Sequence, residues 1–307
     1  MNSTVALINR NMKLFLRDKM AVFFSFLSTL ILIVLYFLFI AKIYTSGMDN
    51  PANGGISMPL ALDTKNFIVY LQMMAGVLAL NSMSLATGAF STIAKDFEDK
   101  RIDNMLLTPV KTREMIVAYF TTGLIASFVI NTFTWILSYM IIGFSTSYWL
   151  SIESFVSVWA ALFVASLISC SIMLLITTLV KSSTAIGIIN GIAGTFFGFL
   201  CGIYMPYSNL GESTKAVGSF LPFTHITIWL KQIMLGDAFT QIGIPSEAKS
   251  ILLSDYFSAD GVGLCGFDVP LWEMVIYSAI IGLACLIVSY VLLNGKIKGQ
   301  KVQTAPM

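Results

Sequence analysis

The sequence predicts an all-α integral membrane protein, a single domain over residues 1–307 with six transmembrane helices. Hydrophobic residues make up 57% of the chain and charged residues only 11%, whereas ordinary soluble domains are about 25% charged. Six stretches are long and apolar enough to cross a bilayer, which takes roughly 20 residues. The clearest of them, 20–41, contains no charged side chain. This composition gives no support to nucleic-acid binding.

The predicted spans follow the apolar runs. They lie at 21–41, 67–93, 116–142, 155–180, 184–205 and 272–293. An even number of spans places both termini on one side of the membrane. With the termini in the cytoplasm, thirteen Lys and Arg residues face inward and five outward, as the positive-inside rule requires. We therefore predict that both termini are cytoplasmic.

The segment before the first span, 1–20, is predicted to form an interfacial amphipathic helix. Its apolar side carries Val5, Ile8, Met12, Phe15 and Leu16, and its basic side carries Arg10, Lys13 and Arg17. Such a helix lies along the membrane surface, with its basic side toward anionic headgroups. Two interpretations stay open: an orientation anchor, or a lever that moves with a transport cycle.

The longest outer loop, 206–271, contains the apolar segment Val217–Leu235, which Pro222 interrupts. At this length a helical hairpin before the last span, either re-entrant or interfacial, fits better than two further spans.

The charged loop at 95–115 joins the second and third spans. Ile102, Met105 and Leu106 recur at helical spacing among charged residues, and Pro109 ends the predicted helix. A short helix with an apolar ridge and mixed charges suits a groove on a soluble protein. The alternative is a solvated hairpin that only connects two spans.

The fifth span has a face of small residues that another helix can approach closely. That face carries Gly187, Gly191, Gly194, Gly198 and Gly202. Beside it, candidate substrate-path residues are Phe196, Phe197, Phe199, Asn190 and, on the second span, Asn81 and Ser84. For the phenylalanines the alternative is lipid contact or packing, and for the two asparagines it is hydrogen bonding between helices.

Catalytic and metal-binding patterns are missing from the sequence. The chain has one His, no H-E-x-x-H or G-x-S-x-G pattern and no P-loop sequence G-x-x-x-x-G-K-[ST]. We therefore expect no catalytic residue, no metal site and no cofactor in this chain. Ion-driven transport is disfavoured because no predicted span carries a charge near its middle.

Taken in order, these features resemble the membrane subunit of a bacterial ABC exporter of the type-2 permease family. The resemblance rests on the basic helix ending in Arg17-Asp18, the loop closing in Leu106-Leu107-Thr108-Pro109, and the outer segment Leu221-Pro222-Phe223-Thr224. It implies that the 95–115 loop is a coupling helix that docks into an ATP-binding subunit. The candidate coupling residues are Glu98, Arg101, Ile102, Met105, Leu106, Leu107 and Pro109. Lys100 and Arg101 depart from the family pattern, which commonly has a Gly shortly after the Glu.

The resemblance also implies the partners and the location. Two permease copies, as a homodimer or related heterodimer, would work with two ATP-binding subunits that bind ATP and Mg²⁺, in a bacterial plasma membrane and in contact with its lipid. The function implied is export of an amphipathic or lipophilic compound, as in multidrug efflux and antibiotic resistance. Export of a polysaccharide or lipid-linked glycan is the alternative, and an ion-coupled transporter is a weaker one.

Overall fold

The computed structural model describes residues 3–19, 34, 41–48, 60–180, 182–201, 203–204, 210–257, 259, 262–264 and 267–303. The helices of this part, in chain order, are α1 Ser3–Arg17, α2 Ala41–Met48, α3 Leu62–Glu98, α4 Arg101–Leu106, α5 Thr112–Thr146, α6 Ile152–Leu179, α7 Ser183–Leu200, α8 Glu212–Ser219, α9 Pro222–Ile242, α10 Ser246–Ile251 and α11 Leu271–Gln303. A π-helical turn, Leu252–Tyr256, follows α10.

Five of these helices, α3, α5, α6, α7 and α11, are long and apolar enough to cross a membrane. The predicted all-α membrane protein is therefore confirmed. The first predicted span, 21–41, lies outside the described residues except at positions 34 and 41, so its helix stays a prediction.

The long helices extend beyond the predicted spans. Helix α3 has 37 residues against the predicted 67–93 and is about 55 Å long at 1.5 Å per residue, nearly twice the ~30 Å hydrocarbon core of a bilayer. Local signals fix several ends. The Glu114 carboxylate accepts a hydrogen bond from Lys111 N at the start of α5, and Ser151 Oγ accepts one from Ser154 N at the start of α6.

Helix α3 lies at the centre of the bundle and packs against α5, α6, α7 and α9. Its most apolar window is 89% buried, whereas the corresponding windows of α7 and α11 are 17% buried. Close packing of α3 relies on Gly76, since a Cβ there would lie 2.3 Å from Ile203 Cγ1. A single chain therefore surrounds α3 and leaves α7 and α11 largely exposed.

The segment predicted to be outer, 206–271, is broken where Pro222 predicted a break. Helix α8 ends at Ser219 and Pro222 occupies the first turn of α9, a position that needs no backbone N–H. Helix α9 runs along the bundle: the Phe223 ring lies 5.2 Å from the Phe197 ring, and Asp237 Oδ2 accepts a hydrogen bond from Ser151 N at 2.7 Å. Whether it is re-entrant or interfacial stays a prediction.

The rest of this segment differs from the predicted helical hairpin. A short antiparallel pair, β1 Val262–Leu264 with β2 Phe267–Val269, precedes α11. These strands were not predicted, because three-residue strands are too short to show an alternating pattern.

Helix α1 packs against α5 and α3, with Phe15 buried and Val5 and Leu16 53% and 57% exposed. One prediction about its sides is wrong. Arg10, assigned to the side facing the lipid headgroups, pairs with Asp96 of the protein instead.

Candidate functional site

The charged loop forms a compact turn between α3 and α5. Lys100, the residue before α4, adopts the left-handed conformation at φ 53°, which glycine adopts at no steric cost and other residues rarely adopt. Lys100 lies where members of the resembling family commonly have a Gly shortly after the Glu. The lysine therefore takes the backbone conformation that the turn requires.

Helix α4 turns its apolar side toward its own chain. Ile102 is completely buried and Leu106 is 8% exposed, and both pack in one cluster with Leu293 and Ile297 of α11. Ile102 and Leu106 are thus covered within the chain, so the ridge predicted to meet a soluble partner is not exposed in this structure, and their coupling role stays a prediction. Met105 is partly buried against the same cluster.

The exposed apolar residue of the loop is Leu107, at 76%. It lies in the turn that joins α4 to α5, beside the exposed Pro109. Arg101 is exposed and pairs with Asp99 at 2.9 Å. The surface open to a partner therefore includes Leu107, Pro109 and the charged Asp99–Arg101 pair.

Glu98 connects this loop to α7. Its Oε1 accepts a hydrogen bond from Ser183 N at 2.9 Å, and its Oε2 accepts one from the Ser183 hydroxyl at 2.6 Å. Ser183 is the first residue of α7, so the carboxylate lies at the positive end of the helix dipole. The last residue of α3 is thereby bonded to the first residue of α7.

Two residues before Glu98 on α3, the buried Asp96 forms an ion pair with Arg10 that was not predicted from the sequence. Asp96 accepts hydrogen bonds from Arg10 Nη1 at 2.7 Å, from Arg10 Nη2 at 2.8 Å and from Tyr119 Oη at 2.6 Å. Burial of Arg10 opposes its charge, but the hydrogen bond and charge of Asp96 outweigh it and raise the Arg10 pKa. This network joins α1, α3 and α5. One available signal was that Asp96 lies three residues after Ile93, on the buried side of α3.

The glycine face of α7 is mostly unfilled in a single chain. A Cβ at Gly187, Gly191 or Gly194 would meet no described atom within 4 Å. Gly198 differs, because a Cβ there would lie 2.1 Å from the Tyr204 ring of the same chain. Gly202 lies outside the described residues. The first three glycines, together with the exposed Ile188 and Ile192, leave room for another helix.

The polar candidates of the substrate path divide into two groups. Asn81 turns toward α5, where its Nδ2 lies 3.3 Å from Asn131 Oδ1 and 3.4 Å from Thr134 Oγ1. Asn190 Nδ2 donates to Ser84 Oγ at 3.1 Å and joins α7 to α3. Asn81 thus makes an interhelical contact away from α7, while Ser84 and Asn190 remain together on the α3–α7 side.

The three phenylalanines are also divided. Phe197 packs on Phe223, whereas Phe196 and Phe199 are 56% and 48% exposed on the outside of α7. The exposed part of α7 therefore combines open glycines with two aromatic side chains.

This arrangement of long apolar helices, a charged connecting loop and a broken helical segment before α11 agrees with the comparison to known families. A family model described as ABC-2 type transporter matches residues 2–235. The chain belongs to the ABC-2 type transporter family. A search of curated proteins gave no match.

The family match gives the class of protein. The chain is a multi-pass membrane protein and the permease of an ABC transporter. Such a permease is a transmembrane subunit, generally non-catalytic, and normally works with an ATP-binding subunit that carries the ATPase activity. The family predicted from the sequence is thereby confirmed.

Proposed function

We propose that this permease exports an amphipathic or lipophilic compound, such as a drug, antibiotic, peptide or lipid-like metabolite. In this proposal the end of the bundle that carries α4, which we call the α4 end, lies in the cytoplasm with both termini. ATP and Mg²⁺ bind to the ATP-binding subunit, since this chain contains no P-loop sequence. Two permease copies face each other across the open side of α7.

The observation that most supports this proposal is the way in which the loop between α3 and α5 is built. Leu107 projects at 76% exposure from the turn after α4, whose apolar residues Ile102 and Leu106 are buried. A projecting apolar side chain next to a charged pair is suited to dock in a groove of a partner. Movement of the partner would be transmitted to α3 through α4, and to α7 through the Glu98–Ser183 hydrogen bonds.

The docking step is tested by Leu107→Asp. We expect this permease to reach the membrane in normal amounts and to lose co-purification with its ATP-binding subunit by at least tenfold, because a charge replaces the projecting apolar contact. Leu62→Asp is the matched control, since Leu62 is 66% exposed at the opposite end of α3. Equal co-purification of the two variants would reject this docking surface.

The nature of the cargo is tested on the purified complex. We expect ATP hydrolysis to rise with hydrophobic drugs or peptides, because the exposed side of α7 carries Phe196 and Phe199 without a charged residue between them. Stimulation by lipid-linked glycans alone would replace this cargo with the glycan alternative.

A further inference from the structure

A basic pocket lies at the α4 end of the bundle, between the start of α5 and the last turns of α11. Its volume is about 420 Å³, and it is lined by Thr108, Lys111, Arg113, Tyr290, Asn294 and Lys298, among others. Pro109 also lines the pocket and belongs to the docking surface proposed above, but the three basic residues do not.

The pocket is strongly positive. Lys111, Arg113 and Lys298 come from two separate parts of the chain, and none of the three forms an ion pair within the described part of the chain. No acidic residue is among those that line it. The nearby Glu114 carboxylate accepts a hydrogen bond from Lys111 N. The start of α5 adds the positive end of a 35-residue helix.

The polar lining provides hydrogen-bond donors that suit a phosphate group. Tyr290, Asn294 and Lys298 are spaced four residues apart on α11, so they lie along one face of the helix. Basic side chains with neighbouring hydroxyl and amide groups bind phosphate through charge-assisted hydrogen bonds.

The same face of α11 continues as an exposed apolar stripe. Its members are Ile276, Ile280, Leu283, Ile287 and Val291, exposed by 49%, 62%, 58%, 56% and 62%. From Ile276 to Val291 the stripe runs about 22 Å along the helix, long enough to contact an acyl chain over the ~15 Å hydrocarbon depth of one leaflet. A phosphate group in the pocket and acyl chains along this stripe would belong to one molecule.

We propose that this pocket binds the phosphate headgroup of an anionic phospholipid from the leaflet at the α4 end. Basic pockets between transmembrane helices bind such headgroups. The apolar stripe favours a lipid over a soluble phosphate compound, and the concave shape beside α11 favours it over an acidic surface of the ATP-binding subunit. The proposal concerns a lipid site and does not depend on which compound the permease transports.

The test measures binding of a fluorescent phosphatidylglycerol to the purified full-length permease in detergent. The pocket variant replaces Lys111, Arg113 and Lys298 with Gln. Its control replaces Lys13, Arg17 and Lys19, again two Lys and one Arg, exposed in and just after α1. We expect the pocket variant to bind roughly 100-fold more weakly, because each basic residue near an anionic group contributes about a factor of five. We expect the control to change binding by less than threefold.

Further measurements separate the alternatives. Thermal unfolding of each variant shows whether it is folded, and the single change Lys298→Glu provides a second pocket variant with the same expected direction. Equal weakening in pocket and control variants would overturn the proposal in favour of general surface charge. Displacement of the lipid by millimolar inorganic phosphate would overturn the lipid assignment. Loss of the ATP-binding subunit from the pocket variant, with lipid binding unchanged, would identify a protein-docking surface instead.

Discussion

Replacing Arg10 with Ala should destabilise this permease more than any exposed change on α1. The Asp96 side chain is 1% exposed and receives two of its three hydrogen bonds from Arg10. Arg10→Ala leaves a buried carboxylate with Tyr119 as its remaining partner. Breaking a buried ion pair from one side costs about 3–5 kcal/mol of unfolding free energy.

The assay is thermal unfolding of the purified permease in detergent, followed by circular dichroism. At about 2 °C per kcal/mol for a chain of this size, the Tm should fall by about 6–10 °C. The double change Arg10→Met with Asp96→Leu should recover much of this loss, because no uncompensated buried charge remains. Recovery by the double change separates loss of the ion pair from loss of the Arg10 side chain.

The matched control is the exposed ion pair between Lys95 and Asp18. It joins the end of α1 to the same turn of α3, with Nζ 2.7 Å from Oδ2, but its side chains are 46% and 31% exposed. Water screens such pairs, so Lys95→Ala should cost about 1 kcal/mol or less. A Tm loss for Arg10→Ala no greater than that for Lys95→Ala would refute the importance of burial.

Two further predictions concern glycines at helix contacts and the start of α7. Gly123→Ala should lower the Tm because its Cβ would lie 2.4 Å from Phe90 Cε1, whereas the Cβ of Gly191→Ala meets no described atom and should leave the Tm of the single chain unchanged. Gly191→Leu should instead reduce cross-linking between permease copies. Unchanged cross-linking would exclude this face of α7 as their contact. Ser183→Ala removes the 2.6 Å hydrogen bond to Glu98 and should reduce transport several-fold while the ATP-binding subunit still co-purifies. Its control is Thr184→Ala, at the next position, which is exposed. Equal transport in the two variants would contradict a coupling role for Ser183.

The membrane helices were predictable because their signal is local. An uninterrupted apolar run marks each of the five described spans, whatever packs against it. Their ends were less predictable. The predicted second span ends at 93, just before the charged residues Lys95, Asp96 and Glu98, yet α3 continues to Glu98. These charges fit on the helix because Asp18, Arg10 and Ser183 bind them. Those partners are distant in sequence.

The loop between α3 and α5 shows the same difference between local and distant information. Helical spacing correctly predicted that Ile102 and Leu106 lie on one side of a short helix. It did not predict what covers that side, which is Leu293 and Ile297 near the other end of the chain. With these two residues covered, Leu107 rather than Leu106 is the apolar residue open to a partner.

The side-chain bonds that would carry a movement from Leu107 to the rest of the bundle are concentrated at the end of α3. Within four residues, Lys95 bonds Asp18, Asp96 bonds Arg10 and Tyr119, and Glu98 bonds Ser183. Helix α4 is fixed to α11 by its buried side. Because α1, α5, α7 and α11 are all tied to this region, a force on the loop should tilt the bundle as a unit. The unfilled side of the permease is α7, so in the proposed cycle a path would open there, between two copies, while the packing around α3 stays intact.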